Sequence, residues 1–161
     1  MALVVAERAR DHPGLAFAPL LQEELVIVSS AALPPPTEGG TITLEELAAQ
    51  EFVACHETYD LRTALDDAFA AAGLRSNMVV QGAELDAVLR FVARGIGVSV
   101  APSMAALHYP GLRITHLQSP RLTRTVSLAR RANLAPSHAA AAFHALLEDV
   151  VAETAVRARA T

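Results

Sequence analysis

Apolar positions recur along this chain with two spacings, which predict alternating strands and helices. The clearest case is the segment NMVVQGAELDAVLRFVARGIGVSVAP, residues 77 to 102. Residues 78 to 80 form a short apolar run, and Gln81 with Gly82 ends it, as expected of a strand followed by a turn. Four later apolar positions keep the helical spacing of three or four residues: Leu85, Val88, Leu89 and Val92.

Gly95 closes this predicted helix, since glycine adopts the left-handed conformation that commonly ends one. A second strand through Val98 and Val100 then stops at Pro102. A helix between two strands favours parallel pairing of those strands, and parallel strands present ligands at their C-terminal ends. The predicted ligand edge therefore contains Gly82 and Pro102.

The remaining segments repeat this alternation, so the fold class we predict is α/β. Strands are predicted at residues 24–28, 52–55, 112–117 and 125–130, and a short helix at residues 103–107. Thr43 and Glu46 stand at capping-box spacing and predict another helix start. A helix ending at Gly73 shows one apolar face, and a last helix begins near Pro136 and Ser137. The apolar face before Gly73 contains Leu61, Leu65, Ala68, Phe69 and Ala72.

The order of these motifs resembles the effector-binding domain of LysR-type transcriptional regulators. PLLQEELVIV at residues 19–28 resembles the strand that enters the family's second subdomain, and TVSLAR at residues 125–130 resembles the returning strand. The most specific piece is VARGIGV at residues 92–98, followed by a strand and a proline. The resemblance extends over roughly residues 1 to 155.

This resemblance implies a three-layer sandwich similar to a type 2 periplasmic-binding-protein fold. Residues 26–124 would form one complete subdomain, and residues 1–25 with 125–161 would form a partial one. We expect a truncated bacterial regulator that lacks the family's N-terminal helix-turn-helix and the first part of the first subdomain. Its implied function is to sense a small-molecule effector between the subdomains and thereby change their orientation.

Composition limits the partners of the chain. The 161 residues are 52% hydrophobic and carry a net charge of −4, with 13 basic residues that are all arginine. This balance gives no general attraction for phosphate, so we expect no DNA binding by this chain itself. No apolar run approaches the roughly 18 residues that span a bilayer, which favours a cytoplasmic protein without membrane contact. A single cysteine, Cys55, excludes an internal disulfide.

The best candidate ligand contacts lie in the predicted loops at the strand ends. His56, Glu57 and Thr58 follow one strand and precede a helix, where free backbone N–H groups favour a polar ligand. Gly82 and Glu84 occupy the equivalent place after the next strand, and Pro102 ends the third. The alternative is that Thr58 or Asp60 only caps a helix and His56 faces solvent. If Glu84 faces the ligand, the effector is neutral or carries an amine, unless Arg62 neutralises the carboxylate.

Catalytic and metal-binding interpretations are weaker. Adjacent residues on an extended strand point to opposite faces, so Cys55 and His56 do not form a nucleophile and base pair. His138 and His144 fall on different faces of the last helix, which gives no metal site. We predict no catalytic residue, no metal and no cofactor. Two rival functions remain: a solute-binding protein of related fold, and a small α/β enzyme, for which no phosphate-binding glycine motif is present.

The last predicted helix carries an apolar stripe that requires a partner surface. In the resembled family it would cover a sheet that we expect to lie mostly before Met1. We therefore predict an underburied stripe and self-association of the isolated chain. The stripe consists of Phe143, Leu146, Leu147, Val150 and Val151.

Overall fold

The computed structural model describes residues 2–5, 13–135 and 137–159. The chain divides into two compact units, one formed by Met1–Gln22 with Arg124–Thr161 and the other by Glu23–Thr123. The α/β class predicted from the sequence is confirmed. The interpretation of residues 26–124 as a complete subdomain, and of the rest as a remnant, stays a prediction. No helix within the described ranges is long and apolar enough to cross a membrane.

The order of elements alternates as the hydrophobic pattern predicts. The strands are β1 Ala2–Val5, β2 Leu15–Ser30, β3 Thr41–Ile42, β4 Glu51–Cys55, β5 Asn77–Gly82, β6 Ser99–Pro102, β7 Leu112–Leu117 and β8 Thr123–Arg131. The helices are α1 Leu44–Ala48, α2 Asp60–Ala71, α3 Leu85–Ala93, α4 Ser103–Leu107 and α5 His138–Arg159.

In the first unit, β8 lies between β1 and β2, and β1 runs antiparallel to it. The helix α5 belongs to the same unit, and the Ser137 hydroxyl accepts a hydrogen bond from the Ala140 N–H in its first turn. Pro136, where this helix was also predicted to begin, lies outside the described residues. The predicted underburial is confirmed at three positions of the stripe, because Phe143, Leu146 and Val150 are 44%, 59% and 49% exposed.

In the second unit, β2 pairs antiparallel with both β6 and β7, and β3 pairs parallel with β7. The strands β4 and β5 pair in parallel. The predicted direct pairing of β5 with β6 is wrong, since β4 contacts β5 on one side and forms a parallel bridge from Phe52 to Val98 on the other. The helix between β5 and β6 therefore crosses over β4.

The core of the second unit is formed by the apolar faces that the spacing predicted. Leu61, Leu65, Ala68 and Phe69 of α2 and Val88, Leu89 and Val92 of α3 are buried. Both helices contact β4 and β6, and α3 also contacts β5. Ala72 is exposed rather than buried, because α2 ends at Ala71 and Ala72 is its C-cap. Gly73 and Gly95 follow the two helices with φ values of +69° and +83°, as predicted for helix ends.

The capping box at the start of α1 is present as the sequence predicts. The Thr43 hydroxyl accepts from the Glu46 N–H at 3.1 Å, and the Glu46 carboxylate accepts from the Thr43 N–H at 2.9 Å. These two bonds satisfy donors that a helix start otherwise leaves without a partner.

Replacing Thr43 with alanine should therefore lower the free energy of unfolding by about 1 kcal/mol. Denaturant unfolding followed by circular dichroism measures this change. Thr37→Ala, in the loop before β3, is the matched control and should change stability by less than about 0.5 kcal/mol. Equal effects of the two substitutions would contradict a capping role for Thr43.

Candidate functional site

The C-terminal ends of β4 and β5 lie side by side and form the candidate site. Cys55 at the end of β4 is the register partner of Gly82 at the end of β5. The loop of residues 56–59 leads from β4 into α2, and residues 83–84 lead from β5 into α3. We call residues 56–59 and 82–84 the β4–β5 edge. Parallel pairing thus brings together two loops that are 25 residues apart in the sequence.

A hydrogen bond joins the two loops. The Tyr59 hydroxyl donates to Oε2 of Glu84 at 2.7 Å. This bond raises the pKa of Tyr59 above its usual value of 10.0, because the neutral phenol is the form that donates to the carboxylate, and hydrogen bonding with the Leu85 backbone opposes the shift. The sequence indicated that the loop before α2 faces a ligand but gave no sign of this contact, because its two partners are distant in sequence.

Neither helix that begins at this edge is capped by the side chain of its own N-cap residue. Tyr59 is the N-cap residue of α2 and Glu84 that of α3, and neither side chain bonds to its own helix. The alternative in which Thr58 or Asp60 caps α2 is therefore wrong. Glu84 precedes α3 in an extended conformation, and its carboxylate reaches Tyr59. The positive ends of two helix dipoles consequently meet at one place beside one carboxylate.

His56 and Thr58 are tied to each other. The Nδ1 atom of His56 lies 3.0 Å from Oγ1 of Thr58 and accepts from the Thr58 N–H at 3.4 Å. Because Nδ1 is an acceptor for a backbone N–H, the neutral ring carries its proton on Nε2. Both contacts lie within the loop that leads from β4 into α2.

Gly82 has a steric role in this edge. It is buried, and a Cβ atom at this position would lie 2.6 Å from Cγ2 of Val88. The absence of a side chain lets the first turn of α3 pack against the end of β5. Gly82 therefore presents only its backbone to the site.

Arg62 does not neutralise Glu84 through a direct contact. Its Nε donates to Asp66 at 2.6 Å, and one terminal nitrogen donates to the Cys55 carbonyl at 3.3 Å. The side chain is only 16% exposed. The guanidinium therefore holds the end of β4 to α2, and its charge is paired with Asp66.

The predicted site residues divide into two groups. His56, Thr58, Gly82 and Glu84 lie on the β4–β5 edge, and Glu57 lies in the same loop and is exposed. Pro102 ends β6, on the far side of β4 from β5, and is buried. Within the described ranges, no group of three or more histidine, cysteine, aspartate or glutamate residues is placed to hold a metal ion.

The Tyr59–Glu84 bond predicts a change in phenol titration. Replacing Glu84 with glutamine removes the carboxylate that favours the neutral phenol, so the pKa of Tyr59 should move down toward its usual value. Ultraviolet absorbance of the phenolate reports the titration, and a Tyr59→Phe variant identifies the contribution of Tyr109. Glu38→Gln is the control and should leave the curve unchanged. An unchanged curve in Glu84→Gln would show that the bond is not formed in solution.

Comparison with known proteins places this geometry in a family. A family model described as the LysR substrate binding domain matches residues 1–152. The chain belongs to the LysR substrate-binding domain family. Among curated proteins, it is 29% identical over 89 residues to YybE of Bacillus subtilis (strain 168), an uncharacterised regulator of the helix-turn-helix type. This match covers 55% of the chain and 30% of YybE, so the chain spans less than a third of that relative.

Solved structures share the fold. The effector-binding domain of QuiR in complex with shikimate has a TM-score of 0.76 and 22% identity, with 94% of this chain and 72% of that chain covered. The regulatory domain of CcmR from Synechocystis PCC6803 in complex with 2-PG has a TM-score of 0.80 and 18% identity, with 92% and 72% covered. At these identities the likeness establishes the fold, and the resemblance found in the sequence is confirmed.

Proposed function

We propose that this chain is the effector-sensing part of a LysR-type transcriptional regulator and that the β4–β5 edge binds the effector. The observation that carries the proposal is the Tyr59–Glu84 hydrogen bond, which joins the N-cap residues of two helices at the C-terminal ends of parallel strands. Ligands of open α/β sheets bind at such strand ends. Family membership supports the regulatory role, and the geometry of the β4–β5 edge supports this location for the effector.

The charges at this edge favour a neutral or amine-bearing effector. Glu84 offers a carboxylate acceptor, Glu57 adds a second negative charge in the neighbouring loop, and Arg62 is paired with Asp66. Helix N–H groups can donate to ligand oxygens, and the Thr58 hydroxyl oxygen can accept from a ligand while its proton faces His56 Nδ1. We propose that the effector gives one O–H or N–H to Glu84, displacing the Tyr59 hydroxyl, and takes hydrogen bonds from the loop before α2. Pro102 would border the ligand from the end of β6.

The ligands of two relatives provide the first probes. The QuiR domain is in complex with shikimate and the CcmR domain with 2-PG. Thermal unfolding of the 161-residue chain should be measured with both, and with small neutral polyols and amines. We expect a rise in Tm with at least one of the neutral or amine-bearing compounds, and backbone amide shifts concentrated in residues 56–59 and 82–85.

Substitutions at the edge test the placement. Glu84→Gln should weaken binding of the stabilising compound by about tenfold, because a charge-assisted hydrogen bond is lost. Glu38→Gln, an exposed carboxylate in the loop before β3, should leave the affinity unchanged. Amide shifts that centre elsewhere, or equal affinity of the two variants, would place the effector at another site.

We propose that the chain itself is not an enzyme. The family is one of effector-binding domains of transcriptional regulators and is not an enzyme family. The only thiol, Cys55, is buried, and burial raises its pKa to about 11, which disfavours the nucleophilic thiolate. Mass analysis of the stabilising compound after prolonged incubation should show no conversion. Conversion that disappears in Cys55→Ala would overturn this part of the proposal.

We also propose that the chain self-associates through α5, because three large apolar side chains of its stripe are half exposed. Light scattering after size-exclusion chromatography should show a molar mass that rises with protein concentration. Leu146→Gln should shift the chain toward the monomer, whereas Leu107→Gln, an equally exposed leucine of α4, should not. A monomer at every concentration would contradict this proposal.

With its net charge of −4, the chain is not proposed to contact DNA itself.

A further inference from the structure

The second unit contains another concave surface at the opposite end of β4 from the β4–β5 edge. A cavity of about 350 Å³ opens between the C-terminal end of β2, the start of β4 and the turn after α3. Sites for small molecules usually measure about 300 to 1,000 Å³. We call it the Ser29 cavity, and its lining includes Ser29, Leu33, Pro35, Gln50, Glu51 and Gly97.

Ser29 lines this cavity and carries a buried hydroxyl without a hydrogen-bond partner among the described residues. The residue is only 6% exposed, and its Oγ has no hydrogen-bond partner within the described part of the chain. The neighbouring Ser30 hydroxyl, in contrast, donates to the Ala93 carbonyl at 3.0 Å. Buried hydroxyl groups almost always have a partner in folded proteins. Ser29 lines the cavity but its Oγ is itself buried, so a rotation about the Cα–Cβ bond would turn this unsatisfied hydroxyl toward a bound molecule.

The lining of the Ser29 cavity contains one charged side chain, which is negative. Glu51 is the only ionisable residue of the lining, and it is exposed. The α3 helix ends beside the cavity at Gly95, where the negative end of the helix dipole favours a cation. Arg113 is not part of the lining, because its guanidinium donates to backbone carbonyls of the loop after β2. Arg94, next to Gly95, is exposed and also lies outside the lining.

One wall of the cavity is apolar and held in place. Leu33 is 49% exposed and lines the cavity together with three consecutive prolines at residues 34–36. Arg113 fixes the start of this loop through the carbonyls of Ser30, Ala31 and Leu33, at distances of 3.2, 3.3 and 2.9 Å. Proline restricts the backbone further. The cavity is thus formed before any ligand arrives, which reduces the entropy lost on binding.

We propose that the Ser29 cavity is a second ligand site, separate from the β4–β5 edge, and that it binds a small organic amine. The ammonium group donates to the Glu51 carboxylate and to Ser29 Oγ, and a short apolar body packs against Leu33 and the three prolines. Glu51 and the helix end favour this ammonium group over an anion. The proposal stands independently of where the effector binds.

Amide chemical shifts test the site directly on the unsubstituted 161-residue chain. Isoamylamine should be titrated at neutral pH, with isoamyl alcohol and isovalerate as neutral and anionic compounds of similar shape. We expect saturable shifts at Ser29, Gln50, Glu51 and Gly97 with the amine, about tenfold weaker binding of the alcohol, and none of isovalerate. Amine shifts that centre on residues 56–59 or 82–84, or equal binding of all three compounds, would overturn the proposal.

Two variants separate the contributions of the polar groups. Glu51→Gln should weaken amine binding about tenfold and leave the alcohol unaffected, and Ser29→Ala should weaken both compounds severalfold. Asp67→Asn, an exposed carboxylate of α2, is the control and should change neither. Equal effects of Glu51→Gln and Asp67→Asn would show only general charge attraction and overturn the site. Tighter binding of Nα-acetyl-lysine N-methylamide than of isoamylamine would overturn the assignment to a free small amine.

Discussion

Replacing Gly97 with alanine should lower the free energy of unfolding by about 3 kcal/mol. A Cβ atom at this position would lie 2.3 Å from the Glu51 carbonyl oxygen and 2.9 Å from its carbon. Both are backbone atoms, so no side-chain rotation relieves the overlap. The strands must separate, which weakens the hydrogen bonds from Val98 N–H to Glu51 and from Val53 N–H to Val98, both 2.8 Å.

Denaturant unfolding measures this change, and amide hydrogen exchange locates it. Val53 and Val98 should lose protection in Gly97→Ala, because their amides form the bonds that the extra methyl group disrupts. Gly39→Ala is the matched control, since a Cβ there meets no atom within 4 Å, and it should change stability by less than about 0.5 kcal/mol. Similar stability of the two variants would show that β4 and the segment before β6 are not held this closely in solution.

Local features of the fold could be predicted well from the sequence, because their causes lie within a few residues. The capping box at Thr43 and the glycine after α3 depend only on neighbouring backbone groups. The buried face of α3 follows from the spacing of its apolar residues. Ala72 was misplaced because helical spacing does not show where the helix stops, and α2 ends one residue earlier.

Strand pairing was predicted less well, because it depends on contacts between distant segments. The strand, helix and strand of residues 77 to 102 suggested that β5 and β6 are neighbours, yet β4 lies between them. Nothing within that segment shows that an earlier strand is inserted. Gly97 is the nearest sign of it, because a glycine in this place allows close approach of another backbone, here that of Glu51.

At the candidate site, too, the location of residues was predicted better than their contacts. His56, Thr58, Gly82 and Glu84 were placed on one edge because strand ends meet in a parallel sheet, and the structure brings them there. The partners of the side chains could not be predicted. Glu84 bonds to Tyr59, and Arg62 pairs with Asp66, so the neutralisation considered for Glu84 does not arise from direct contact. Whether these residues bind an effector stays a prediction.

The free energy of unfolding should fall by about 2 kcal/mol as the pH rises from 9 to 11, through the ionisation of Cys55. Burial raises the pKa of this thiol from 9.0 to about 11, Arg62 lowers it and Asp60 raises it. Below pH 9 the thiol is protonated in both states, and its full contribution to stability is present. Between the pKa of the unfolded chain and that of the folded chain, the thiol ionises in the unfolded chain but stays protonated in the folded one. The free energy of unfolding therefore declines until the folded thiol ionises as well.

Comparison with Cys55→Ala isolates this contribution from the other groups that titrate in alkali. The variant is expected to be less stable near neutral pH, because a buried group is removed, and to lose less stability as the pH rises. The difference between the two curves of unfolding free energy against pH should therefore shrink by about 2 kcal/mol across this range. Iodoacetamide should modify the thiol of the folded chain far more slowly than that of the denatured chain. Parallel curves together with fast modification of the folded chain would mean that Cys55 is accessible to water, and the end of β4 would then be open rather than packed beneath α2.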